Sequence, residues 1–153
     1  MLREVIGTSS ISEIYKIGVE AKRGILVVKN ESTKVAAKAD AEGVDVWFLD
    51  ADNQPTGHLA DVEVSQYDPE MDTVKENEYA LLKKYPVGAS IATDQVSGTF
   101  TVGGYAIAGT GVDAGLLVPA VATNVSTLKY VGEYQDGDKT LQRFEFVNPH
   151  TVA

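Results

Sequence analysis

The stretch from Pro86 to Ala120, PVGASIATDQVSGTFTVGGYAIAGTGVDAGLLVPA, limits the fold more than any other part of the chain. Seven of the fourteen glycines fall inside it: Gly88, Gly98, Gly103, Gly104, Gly109, Gly111 and Gly115. A glycine costs a helix interior roughly 1 kcal/mol relative to alanine, so this spacing leaves no room for a helix. Between the glycines lie short runs of strand formers: Ser90 to Thr93, Thr99 to Val102, Tyr105 to Ala108 and Leu116 to Ala120. Alternation in the second run predicts Phe100 and Val102 on one face and the threonines on the other. Such runs, separated by turns, describe antiparallel β structure. The stretch holds no cluster of acid, base and nucleophile. It is built to hold a shape.

The rest of the chain continues that pattern. Ile25 to Val28 is an unbroken apolar run, as in a strand buried on both faces. KNESTK, residues 29–34, is a polar turn, and Val35 to Ala39 is the returning strand. Val44, Val46 and Phe48 alternate with Asp45 and Trp47, and the turn-rich Asp50 to Gly57 follows. His58 to Val64 alternates again, and Tyr67 to Asp72 reads as a loop. Thr73 to Tyr85 has helix-forming composition, but Tyr79 to Leu82 feeding Gly88 favours a strand. Ser126 to Tyr134 and Thr140 to Val147 flank Asp136-Gly137, a strong hairpin signal. About nine short strands at close spacing predict an all-β fold: a small antiparallel β-barrel or β-sandwich.

The first eighteen residues read as an N-terminal arm, with residues 19–153 forming a single β domain. Ser10 and Glu13 match a capping box, which allows a short helix over Ile11 to Ile17. The alternative is an extended segment lying on the body or on a partner. Its apolar residues Leu2, Val5, Ile11, Ile14, Tyr15 and Ile17 are many for a free tail, and surface of that kind has something to cover. With the bases Arg3, Lys16, Lys22 and Arg23, these residues make a candidate partner-binding set: Leu2, Arg3, Val5, Ile11, Ile14, Tyr15, Lys16, Lys22 and Arg23.

Charge is uneven. The net value is −9, yet residues 1–40 carry seven bases against five acids, whereas residues 41–80 carry eleven acids against one base. An acidic middle argues against a nucleic-acid surface, which needs clustered Lys and Arg to displace counterions. The split fits either a solvated acidic face or a protein whose leading part docks on an acidic partner. No apolar run approaches the roughly 20 residues that span a bilayer, and the leading residues lack a signal-peptide pattern. The expectation is a protein with no membrane partner. With no cysteines, the chain has no disulfides, thiolate metal sites or cysteine chemistry.

The residues that catalyse or bind metal elsewhere are sparse here. His58 and His150 are the only histidines and have no metal-ligand spacing. No Gly-x-Ser-x-Gly elbow is present. Asp50, Asp52 and Gln54 start like a calcium loop, but Pro55 stands where glycine is required and Asp61 where a glutamate should close it. A looser acidic site over Asp68, Glu70 and Asp72 competes with a plain solvated turn. Gly109-x-Gly111-x-x-x-Gly115 misses the dinucleotide spacing by one residue. Trp47, Tyr67, Tyr79 and Tyr85 fit either core packing or a face that stacks sugars or docks protein. The reading is of a chain without catalytic, cofactor or metal residues, and not an enzyme.

The string from Glu76 to Ala120 resembles the head decoration, or capsid-cement, proteins of tailed bacteriophages. The matching pieces are Asn77 to Leu82, Gly88 through Ala92-Thr93-Asp94-Gln95, Thr101-Val102-Gly103-Gly104-Tyr105, and Gly115-Leu116-Leu117-Val118-Pro119-Ala120. Arg23-Gly24-Ile25-Leu26-Val27 resembles the first strand of these folds. The chain departs at Gly104, where the family commonly carries Asp, and in a longer C-terminal hairpin. The resemblance implies a virion structural protein, assembled in the host cytoplasm and bound to the outer surface of a head shell. Its implied partners are the major capsid protein and further copies of itself, as a trimer or other homo-oligomer. The alternatives are a tail, baseplate or fibre component, or a carbohydrate-binding β module.

Overall fold

The computed structural model describes residues 1–7, 9–42, 46–51 and 72–153. It is built from strands in two layers. Leu2–Ile6 (β1), Ser90–Thr93 (β9), Tyr105–Ala108 (β10), Leu117–Pro119 (β11), Val125–Asp136 (β12) and Lys139–Thr151 (β13) form a six-stranded sheet in the order β1-β9-β13-β12-β10-β11. Ile11–Ile17 (β2), Leu26–Asn30 (β4), Val35–Lys38 (β5), Trp47–Asp50 (β6) and Tyr79–Lys84 (β8) close a barrel in the order β2-β5-β4-β6-β8. Ala21–Lys22 (β3) and Thr73–Val74 (β7) pair separately. The expected all-β class with antiparallel pairing and a barrel is what forms; one barrel contact, β2 with β5, is parallel.

The apolar runs follow from this layering. Leu26 faces the core between sheet and barrel, and Val27 faces the barrel interior. Trp47 and Leu49 likewise point into the barrel, while Phe48 points at the sheet. Strands β4 and β6 are the barrel wall that the sheet covers, so both of their faces are apolar. Leu2, Ile91, Leu128, Tyr130, Phe144 and Phe146 meet this wall from the sheet side. Edge-to-face rings line the seam, with Phe48 and Phe146 centroids 5.8 Å apart and Phe48 and Tyr85 6.0 Å apart.

The glycine-rich stretch clamps the layers together. After β10, residues Gly111–Asp113 make one 3-10 turn. Gly115, at φ +84, then donates to the Ala39 carbonyl at 2.8 Å and accepts from the Leu26 amide at 2.7 Å. Gly24 does the same near β1. It sits at φ +93, and a side chain there would run into Thr93 Oγ1 and come within 2.7 Å of the Met1 carbonyl.

Three expectations need correction. Thr99 to Val102 is not a strand: it is an irregular segment ending in a turn closed by the Gly104 amide on the Thr101 carbonyl, 2.8 Å. Phe100 packs on Phe144 and Tyr130, while Val102 points into solvent. Gly98 and Gly103, both at positive φ, bend the chain too sharply for ladder pairing between them. Ile11 to Ile17 is a strand and not a helix, because β8 supplies a ladder that overrides the capping signal. The first eighteen residues are also not a separate arm. Strand β1 pairs with β9 and β2 with β8, so the segment belongs to both layers. The predicted strand over His58 to Val64 lies outside the described residues.

Candidate docking surface

Incorporation into the body sorts the predicted partner-binding residues into two groups. Leu2 is buried in the core between the layers. Val5 is half-buried and packs beside Met1, Ala92 and Leu141. Tyr15 is buried in the barrel, and its hydroxyl donates to the Glu31 carboxylate at 2.7 Å. Arg3 is held by Asp136 at 2.6 Å, and Arg23 by Asp50 at 2.7 Å. These five stabilise the fold. Burial corrects the assignment of Leu2 and Tyr15 as docking residues, while Val5, Arg3 and Arg23 are tied into the body. Lys22 is exposed on β3.

Ile11, Ile14 and Lys16 are different. All lie on β2, where Ser12, Ile14 and Lys16 point outward and Tyr15 and Ile17 point into the barrel. Register pairs Ile14 with Leu81 and Lys16 with Tyr79. Directly opposed residues share a face. The outer face of β2 and β8 therefore carries Ile14, Leu81, Lys16 and Tyr79 side by side. Ile14 is 65% exposed and Tyr79 71%. The Lys16 ammonium stands 6.0 Å from the Tyr79 ring centroid. Ile11, 63% exposed, extends the apolar surface to the barrel mouth. Sequence reasoning missed Leu81 as a member, because only the β2–β8 register brings it beside Ile14.

Beside this face, charge is neutralised within the chain. Lys83, opposite Ser12, turns under β1 and bonds Glu4 at 3.0 Å and Asp50 at 2.7 Å. Burial alone would raise the Asp50 carboxyl, but the Lys83 hydrogen bond and the Arg23 charge outweigh it and hold the group below its usual range. Burial, with Glu4 alongside, pushes the Tyr85 phenol far above its ordinary value. At the barrel mouth, Lys29 bonds Glu31 at 2.8 Å and Glu13 at 2.9 Å, with its ammonium 4.6 Å from the Trp47 ring centroid. Hydrogen bonds from Lys29, Tyr15 and Lys34 depress the Glu31 carboxyl to about 2. A carboxyl-carbon NMR titration is expected to place the Glu31 midpoint near that value. The Lys29→Met variant returns it toward roughly 4, the ordinary glutamate range. Because the folded value is the lower one, the stability contributed by this cluster is present above roughly pH 4.3 and is lost as pH falls toward 2.

The same pairing shrinks the basic surface expected of residues 1–40. Arg3, Arg23, Lys29 and Lys34 are all matched to acids of the chain itself. The expected aromatic row does not assemble either. Trp47 is inside the barrel and Tyr85 is in the core, so of the described members only Tyr79 is at the surface; Tyr67 lies outside the described residues. Asp50, the first member of the failed calcium loop, is committed to Arg23 and Lys83. Asp72 accepts from the Met1 ammonium at 2.7 Å, and Asp68 and Glu70 lie outside the described residues. His58 also lies outside them, and His150 stacks on Tyr105 at 4.5 Å.

No protein-family model matches the chain, and no curated protein matches it in sequence. Among solved structures, the head fiber gp8.5 N base of bacteriophage phi29 is similar, at 13% identity and a TM-score of 0.49, over 90% of this chain and 94% of that one. A likeness of that grade carries no argument about family or function.

Proposed function

We propose that this chain is a virion structural protein that binds the major capsid protein lattice on the outer surface of a phage head and stabilises it. The observation that carries the reading is the exposed face of Ile14, Leu81 and Tyr79 with Lys16 at its edge. Adjacent large apolar side chains on a barrel wall form a patch that a partner can bury. The sequence resemblance over residues 76–120 supplies the class of partner. Many identical sites on a shell multiply a modest contact through effective concentration. In this reading the protein performs no chemistry, takes no cofactor and contacts neither nucleic acid nor membrane. The alternative of a sugar-binding module loses its main support, since Trp47 is sealed in the barrel.

The test is sedimentation of the purified protein with empty heads of the source phage. Wild type binds saturably. Ile14→Asp combined with Tyr79→Ser weakens binding about tenfold or more, since burying one large apolar side chain is worth roughly 1.5–3 kcal/mol. Both positions face solvent in the free protein, so its melting temperature stays within a few degrees of wild type. Wild-type protein that stays in the supernatant at every concentration would refute the proposal.

A further inference from the structure

Four of the seven bases in residues 1–40, Arg3, Arg23, Lys29 and Lys34, are matched to acids of the chain. Two others, Lys22 and Lys38, are exposed and bonded to no acid among the described residues. Both line one cavity of about 330 Å³ beside the β3–β7 pair. Each is held in place by its strand or its stem. Lys22 is the register partner of Thr73, so the Thr73 hydroxyl stands on the same face as the ammonium. Lys38 lays its stem on bare backbone: a Cβ on Gly115 would stand 3.4 Å from the Lys38 Cβ and Cγ. Gly115 is itself fixed by its bond to the Ala39 carbonyl, 2.8 Å.

The rest of the lining says what an occupant looks like. Buried Ile25 and half-buried Leu116 give the cavity an apolar wall, and Val112, wholly exposed on the 3-10 turn, stands at the same cavity. Its volume is about ten times the roughly 30 Å³ of one water, more than a bare inorganic anion fills. Glu20 is the one acid among the lining residues, which leaves two positive charges against one negative on a chain of net charge −9. Cations gathered without a counter-charge repel one another, and a bound carboxylate relieves that.

We infer that this cavity binds an acidic segment of a partner polypeptide. Carboxylates of the segment meet Lys22 and Lys38, and an apolar side chain among them packs on Ile25, Leu116 and Val112. This goes beyond the shell-binding reading and does not use the β2–β8 face. A second copy of this chain is also acidic, but each copy carries the full net charge of −9, and that repulsion opposes their approach.

The test is an NMR titration of the full chain at low ionic strength, read at the lysine ε-methylene carbons. The probe is the capped peptide Glu-Leu-Glu, with capped Gln-Leu-Gln and inorganic phosphate as controls. Glu-Leu-Glu is expected to shift the Lys22 and Lys38 signals saturably, to leave Lys16 in place, and to bind more weakly in high salt. Lys22→Gln combined with Lys38→Gln weakens binding roughly fivefold or more, two exposed ion pairs being lost. Glu20→Gln tightens it roughly twofold, because a like charge leaves the site. All three side chains face solvent, and the wild-type titration stands whether or not a variant folds. Signals that do not move, or that move equally with Gln-Leu-Gln, overturn the inference. So does phosphate binding as tightly as the peptide, which makes this a small-anion site. Shifts that grow with protein concentration alone make the occupant a second copy and overturn it too, as does weaker binding by Glu20→Gln. The result is independent of whether the protein binds empty heads.

Discussion

Truncating Phe144 to alanine is expected to lower the free energy of unfolding by about 4 kcal/mol, the middle of the range for a buried Phe→Ala change. Phe144 has 0% exposure and sits where β13 crosses the middle of the sheet, between Ile91 on β9 and Tyr130 on β12. Its ring meets Phe100 at 5.2 Å and Tyr130 at 5.4 Å. Phe100 comes from the irregular segment before β10, so this one side chain ties the glycine-rich stretch to the long hairpin. Strands pinned in ladders on both sides cannot collapse into the hole, which keeps the cavity cost high. Urea unfolding at constant m-value measures it. A loss below roughly 1.5 kcal/mol would mean that the ring is not packed as described.

Asp50→Ala is the second large effect, with an expected loss of about 3 kcal/mol near neutral pH, at the low end for breaking a buried ion pair because both cations retain some access to water. Asp50 is 7% exposed and is bonded by Arg23 from before β4 and Lys83 from β8. Removing it takes from Arg23 the carboxylate that holds it and leaves Lys83 with Glu4. The pH dependence has a definite sign. The folded Asp50 carboxyl lies below its usual range, so its contribution is present above the unfolded value of about 3.9 and is lost on acidification through the folded value. Burial alone would lower the Lys83 ammonium, but hydrogen bonds to Asp50 and Glu4 outweigh it and raise the group; that contribution fades only as pH climbs past its folded value. Wild type and variant should therefore differ most between roughly pH 5 and 9 and converge in acid. A difference unchanged down to pH 2 would rule out the ion pairs as its source.

Several elements were legible from local chemistry. Ser90–Thr93 and Tyr105–Ala108 are strands with the predicted bounds, and the Asp136-Gly137 turn joins the longest hairpin. Val27 beside Leu26 announced a strand with two buried faces. The failures also have reasons. Thr99 to Val102 alternates like a strand, but the glycines around it take positive φ and turn the chain away. Ser10 and Glu13 spell a helix start, and the ladder with β8 prevails. Of the residues expected to bind, Ile11, Ile14 and Lys16 are accessible on β2, while Leu2 and Tyr15, of similar chemistry, are buried and Arg3 and Arg23 are held by the chain's own acids. Nothing local separates Ile14 from Tyr15. They are neighbours whose side chains point to opposite sides of one strand.

Sequence by itself determined the β class, because glycine spacing and two-residue alternation are properties of the local backbone. It also determined that the core holds together without cross-links, since there are no cysteines. Only the tertiary structure decided which layer each strand joined and which bases were consumed by the chain's own acids. Those outcomes depend on register between segments as distant as Glu4 and Lys83. Pairing partners far apart in the chain are chosen by the packing of the whole, and the order of residues along any one strand does not encode them.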